Sequence, residues 1–93
     1  MIKVALVDDH QLFRKSLSLL LSSFEGIEII HDTNDGLAFL KFAETEVIDV
    51  VLLDIQMPIL DGYEVCKRLK LINPEAKILI ISQLTSKEAI HQI

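Results

Sequence analysis

Short apolar runs that end on carboxylates, separated by segments of helical periodicity, constrain this chain more than any other feature. Ile2 to Val7 is β-branched and apolar and stops at Asp8 and Asp9, which reads as a strand buried on both faces. From Gln11 to Phe24 the residues Leu12, Phe13, Leu17, Leu20, Leu21 and Phe24 recur at helical spacing, and Gly26 stands where a helix commonly stops. Ile27 to His31 is strand-like again. Asn34, Asp35 and Gly36 then supply turn and cap chemistry before Leu37, Leu40 and Phe42 mark a second helix. The densest apolar run, Val50 to Leu53 inside a strand expected over Val47 to Ile55, closes on Asp54 and predicts the central strand. Met57, Pro58, Asp61 and Gly62 make a loop, and Val65, Leu69 and Ile72 describe a third helix ended by Asn73 and Pro74. Lys77 to Ser82 gives a fourth strand. Thr85 and Glu88 have capping-box spacing for a fourth helix that begins near Ser86.

Strands alternating with helices of roughly ten to fourteen residues predict right-handed crossovers and a parallel α/β sheet covered on both faces. The 93 residues are enough for one small domain over 1–93, and 51% hydrophobic residues are enough to give it a core. In such a sheet the ligand site lies beyond the carboxyl ends of the strands, where strand order reverses. The alternation places Asp8 and Asp9 after the first strand, Asp54 at the end of the third and Ser82 at the end of the fourth, all on one rim. Carboxylates held together without a cation repel one another, which raises a pKa or recruits a hard divalent ion with oxygen ligands, magnesium being the natural one. The bland alternative is that Asp8 and Asp9 cap the first helix and Asp54 is a turn residue.

Charge and cysteine content narrow the function. A net charge of −5 without any run of Lys or Arg argues against phosphate neutralisation, so this chain alone is not expected to bind DNA. The single cysteine, Cys66, forms no internal disulfide and fits a reducing cytoplasm. No apolar run approaches the roughly eighteen residues of a membrane span, and none reads as a signal peptide.

The stretch Val7-Asp8-Asp9-His10, taken with Leu53-Asp54-Ile55-Gln56-Met57-Pro58, Asp61-Gly62 and Ser82, resembles the receiver domain of two-component response regulators over essentially the whole chain. The run Asp9-His10-Gln11-Leu12-Phe13-Arg14 further resembles the NarL/FixJ-like subfamily, whose receiver precedes a LuxR-type helix-turn-helix domain. The resemblance implies a flavodoxin-like, doubly wound parallel sheet of order 2-1-3-4, with the family's fifth strand and fifth helix absent from this chain. It implies that Asp54 is the phosphoacceptor, taking a phosphoryl group from a phosphohistidine on a partner histidine kinase. It also implies that Asp9, Asp54 and the backbone carbonyl of Gln56 ligate Mg2+ while Asp8 holds a metal-bound water. Ser82 matches the hydroxyl that hydrogen-bonds the phosphoryl group and switches the following loop. Gln56 and Leu84 match positions that tune phosphoryl lifetime. The family's phosphoryl-pairing lysine has no counterpart, because Lys77 opens the fourth strand at the far end and Lys87 lies in the last helix.

These implications set further expectations. Ile78 to Ile81 becomes an apolar edge strand, through which a homodimer is expected to form. DNA contact falls to a carboxyl-terminal domain outside this chain, and no external substrate is turned over. An aspartate-based phosphohydrolase would want an acid two residues after its nucleophile, where Gln56 stands. Flavin binding on this topology is opposed by Asp8 and Asp9, which repel a phosphate. A degenerate receiver serving only as an interaction module stays open. His10 is read as a first-turn helix residue rather than a ligand, His31 and His91 as satisfied or solvent-facing, and Cys66 as a small packed side chain.

Overall fold

A computed structural model describes residues 1–54 and 62–81. Their elements run β1 (Ile2–Val7), α1 (Gln11–Ser22), β2 (Ile27–Thr33), α2 (Gly36–Ala43), β3 (Val50–Asp54), α3 (Gly62–Ile72) and β4 (Lys77–Ile81). The strands form one parallel sheet in the order β2-β1-β3-β4. This is the flavodoxin-like α/β arrangement expected, with chain order reversing between β1 and β3.

β1 lacks polar alternation because both its faces are covered: Val4, Ala5, Leu6 and Val7 are all buried. Ala5 and Val7 join Val51 and Leu53 in a core with Phe39, Ile48, Val65 and Leu69. Successive strand residues point to opposite faces, so Val4 and Leu6 face the other way, where α1 packs over β1 and β2. Leu12 and Leu19 stay exposed on α1, and none of its residues is fully buried.

Several boundaries differ from the sequence reading, each for a local reason. α1 stops at Ser22 rather than Phe24, because the Ser23 hydroxyl donates to the Leu20 carbonyl at 2.6 Å and its N–H turns back to the same residue. The chain then reverses at Gly26, whose φ of +86° is a left-handed conformation that costs a glycine little. β2 runs on to Thr33 because a register shift between Val4 and Ala5 carries Asp32 and Thr33 alongside Leu6 and Val7. α2 has eight residues, fewer than expected, and is started by Asp35, whose Oδ1 accepts from the N–H groups of Leu37 and Ala38 at 2.9 and 3.3 Å. β3 begins at Val50 rather than Val47. Asp49 is committed to Lys3, accepting the Lys3 N–H at 2.8 Å and donating its own N–H to the Lys3 carbonyl at 2.9 Å, and Val47 is exposed.

α3 ends as expected at Asn73 and Pro74: the Asn73 N–H closes the last turn on Leu69 at 2.7 Å, and its side chain donates to the Glu46 carbonyl. Cys66 packs half-buried against the core, as expected. Burial pushes its thiol pKa up, against a smaller lowering by Lys70. Among the described residues β4 pairs only with β3, and Leu79 and Ile80 are exposed on it. The expected extension of β3 to Ile55, the loop at Met57, Pro58 and Asp61, the end of β4 at Ser82, and the fourth helix with Lys87 and His91 lie outside the described residues.

Candidate acidic metal site

Register assembles the site. Val7 pairs with Leu53 across β1 and β3, so the next residue of each strand, Asp8 and Asp54, emerge side by side at the carboxyl edge. Both carboxylates are withdrawn from water, with residue exposures of 2% and 1%. Groups so buried persist as anions only with compensating charge or hydrogen bonds. Asp9 follows from β1 on the same rim.

His10 completes the cluster. Its backbone N–H donates to Asp8 Oδ1 at 2.7 Å. Its ring Nδ1 lies 3.1 Å from Asp8 Oδ1, 3.1 Å from Asp9 Oδ1 and 3.5 Å from Asp54 Oδ2. The hydrogen-bonded Asp8 carboxylate holds the imidazole pKa above its ordinary value, against desolvation and with help from the charges of Asp9, Asp8 and Asp54. This corrects the expectation for His10, which stands at the N-cap position before α1 rather than in its first turn, and makes no capping bond with its side chain. The reason is the Asp8 turn, which draws the ring toward the carboxylates instead of along the helix. The alternative in which Asp8 merely caps α1 fits poorly, since its carboxylate accepts the backbone N–H of His10, which precedes the helix.

A second residue that the sequence reading passed over braces the rim. Arg14 Nη1 donates to the Asp8 carbonyl at 2.7 Å, and its Nε forms an ion pair with Asp32 at the end of β2. One guanidinium thus ties α1, β1 and β2 together behind the carboxylates. The only hint in the sequence is a basic residue one helical turn after His10.

Ligand atoms of Asp8, Asp9, His10 and Asp54 all lie within 4.8 Å of one another, close enough to hold a metal ion. Asp9 Oδ1 is buried and accepts no hydrogen bond from the described residues, and the donors are mostly hard oxygens. Both features fit a divalent cation. Asp8, Asp9 and Asp54 are therefore brought together as expected. Gln56, Ser82 and Leu84 lie outside the described residues.

A parallel α/β sheet with buried carboxylates at its switch point defines an acidic, cation-competent module rather than a phosphate cradle. Residues 4–93 match the family described as response regulator receiver domain, and the chain belongs to that family. Among relatives, it is 35% identical over 82 residues to the response regulator GacA of Pseudomonas aeruginosa, covering 88% of this chain and 38% of that one. It is 36% identical over 80 residues to BvgA of Bordetella pertussis, whose name ties it to positive transcription regulation of virulence factors, covering 86% of this chain and 38% of that one. The chain thus spans about two fifths of the length of these relatives, at 38% of each. A solved CheX-CheY-BeF3-Mg2+ complex from Borrelia burgdorferi superposes with a TM-score of 0.81 at 29% identity, over 97% of this chain and 68% of that one. The protein is a receiver domain of a two-component response regulator, a signal-transduction module. Among the described residues no helix is long and apolar enough to cross a membrane.

Proposed function

We propose that Asp54 is the phosphoacceptor of this receiver, and that residues 1–93 work as one receiver unit in the cytoplasm. The observation that carries the reading is the convergence of Asp8, Asp9 and Asp54 from adjacent β1 and β3 at the switch point of the sheet. A carboxylate oxygen of Asp54 attacks the phosphorus of a phosphohistidine on a partner histidine kinase. The bond from phosphorus to the ring nitrogen breaks, its electron pair stays on that nitrogen, and an aspartyl acyl phosphate results.

Asp8, Asp9 and Asp54 would hold Mg2+, joined by the Gln56 carbonyl on the strength of its place in the sequence. When bound, the ion supplies positive charge that offsets the repulsion between anionic acceptor and anionic donor. The Borrelia complex, with its BeF3 and Mg2+, supports this for a relative of the same fold. The fold supplies orientation: Asp54 is fixed at the end of a strand buried between β1 and β4, and Arg14 holds the Asp8 backbone in place. Ser82, on the strength of its position after β4, hydrogen-bonds the phosphoryl group and carries the switch. The chain turns over no external substrate.

Output in the full-length regulator is control of transcription through a LuxR-type DNA-binding domain, in line with the name of BvgA. The exposed Leu79 and Ile80 on β4 support self-association along that edge. The alternative of a receiver that serves only as an interaction surface is not favoured, since Asp8, Asp9 and Asp54 are all in place.

Intact-mass measurement after incubation with a small acyl-phosphate donor and Mg2+ tests the reading. The expected result is a gain of one phosphoryl group that disappears in Asp54→Asn and in the presence of a chelator. No gain in the wild-type chain, or a gain that survives Asp54→Asn, overturns it.

A further inference from the structure

We propose that Arg14, anchored by Asp32, is a positioning residue for the cation pocket: it fixes the peptide between Asp8 and Asp9 and so sets how tightly the acids hold Mg2+. The inference rests on reading the carboxylate cluster as a metal centre, and it assigns a determinant of that centre outside the acids themselves. Arg14 Nη1 donates to the Asp8 carbonyl at 2.7 Å while its Nε pairs with Asp32. That carbonyl belongs to the peptide joining Asp8 to Asp9. Because a peptide is planar, pinning its oxygen fixes ψ of the first residue and φ of the second, and with them the directions in which the two side chains leave the backbone.

The fold leaves this peptide to a side chain. The Asp8 N–H donates to the Thr33 carbonyl at 3.1 Å, where the pairing of β1 with β2 ends. Asp9 and His10 then belong to neither β1 nor α1. The first helical bond, from the Arg14 N–H to the His10 carbonyl at 2.9 Å, starts too late to hold Asp9. Asp8 is buried, and a buried carbonyl needs a donor, which the guanidinium supplies by reaching back over the first turn of α1. Asp32, placed opposite Leu6 by the register of β1 and β2, holds the other end. A planar fork with donors in two directions serves both partners, whereas a lysine is a single point charge.

The charge and the position of Arg14 act on a bound cation in opposite senses. As a charge, a guanidinium near the pocket repels Mg2+, so its removal would tighten binding. As a brace, its removal frees the Asp8–Asp9 peptide and weakens binding. Asp54 does not depend on the brace, because β3 carries it between β1 and β4.

Calorimetric titration of the whole chain with MgCl2 tests this on wild type, Arg14→Ala, Arg14→Lys, Asp32→Asn, Asp9→Asn and Ile48→Val, with circular dichroism confirming that each is folded. The affinity for Mg2+ is expected to fall at least about 10-fold in Arg14→Ala, the loss that an outer partner of a metal site produces. Arg14→Lys and Asp32→Asn are expected to weaken it in the same direction, and they carry the test where Arg14→Ala does not fold. Ile48→Val loosens the core before the amino end of β3, far from the rim, and should hold the affinity within about 2-fold. Phosphorylation by a small acyl-phosphate donor, read by intact mass, should need more Mg2+ in Arg14→Ala yet come within about 3-fold of the wild-type rate once Mg2+ saturates. Four results overturn the role of Arg14: binding by Arg14→Ala as tight as wild type or tighter, wild-type binding by Arg14→Lys, equal weakening in Ile48→Val, or a rate that stays depressed at saturating Mg2+. In each, Mg2+ binding that depends on Asp9 leaves the metal centre standing. Absence of Mg2+ binding by wild type, or indifference to Asp9→Asn, overturns the metal centre and the proposal together.

Discussion

Arg14 is where fold and site share one side chain, and a double-mutant cycle with Asp32 measures that link. The guanidinium side chain is 15% exposed and the Asp32 side chain 34%, so the pair is partly buried. Two unit charges about 4 Å apart interact by about 4 kcal/mol at an effective dielectric near 20. Desolvation and lost side-chain entropy take back much of this, leaving a coupling of about 1–2 kcal/mol, above the exposed-pair range. The charge-assisted bond from Arg14 to the Asp8 carbonyl adds about 1.5 kcal/mol, so Arg14→Ala is expected to cost about 2.5–3.5 kcal/mol and Asp32→Ala about 1–2. A chain of this size has a total stability of only about 5–14 kcal/mol. With a urea slope of about 1 kcal/mol/M, the Arg14→Ala midpoint falls by about 3 M. Urea unfolding of wild type, Arg14→Ala, Asp32→Ala and the double variant reads out the cycle. Single effects that add to within about 0.3–0.5 kcal/mol would refute the coupling.

Three further outcomes follow from the packing. Phe39 is fully buried in the core, so Phe39→Ala should cost about 3–5 kcal/mol in the same assay, and a loss below about 1 kcal/mol would show that the core under α2 is not packed as described. His31 stacks on Phe42 with ring centroids 4.1 Å apart, and burial holds its pKa below 6.5 against the opposing charge of Asp32. Its neutral form is favoured by folding, so its contribution is complete above the unfolded value and is lost as pH falls below it. His10 acts in the opposite sense, which is why the comparison of wild type with His31→Phe isolates the term. The variant should lose less stability between about pH 8 and about pH 5, and parallel curves would contradict the assignment. Self-association through β4 predicts a concentration-dependent elution volume that Ile80→Lys moves toward the monomer; a monomer at every concentration would rule it out.

Most of the fold was legible because buried parallel strands announce themselves. β1 and β3 are apolar on both faces, and each ends where a carboxylate must meet solvent or a cation. The strand order came from family resemblance, since an apolar run such as Lys77 to Ile81 does not say which neighbour it pairs with. Boundaries shifted where side chains compete with the backbone ladder, as Ser23 does at the end of α1 and Asp49 before β3. The carboxylates of the site were legible from spacing, because parallel register brings every strand end to one rim. His10 and Arg14 were not. Their roles depend on a turn at Asp8 and on a β2 extended to Asp32, and neither leaves a periodicity to read.

The central claim, that Asp54 rather than Asp8 or Asp9 takes the phosphoryl group, is tested most directly by locating the adduct. The chain is phosphorylated with a small acyl-phosphate donor and Mg2+, trapped by reduction of the acyl phosphate, and digested for peptide mass mapping. The predicted result is a single modified residue at position 54, absent when Mg2+ is chelated. Modification at Asp8 or Asp9, or at position 54 with equal yield without metal, would contradict it.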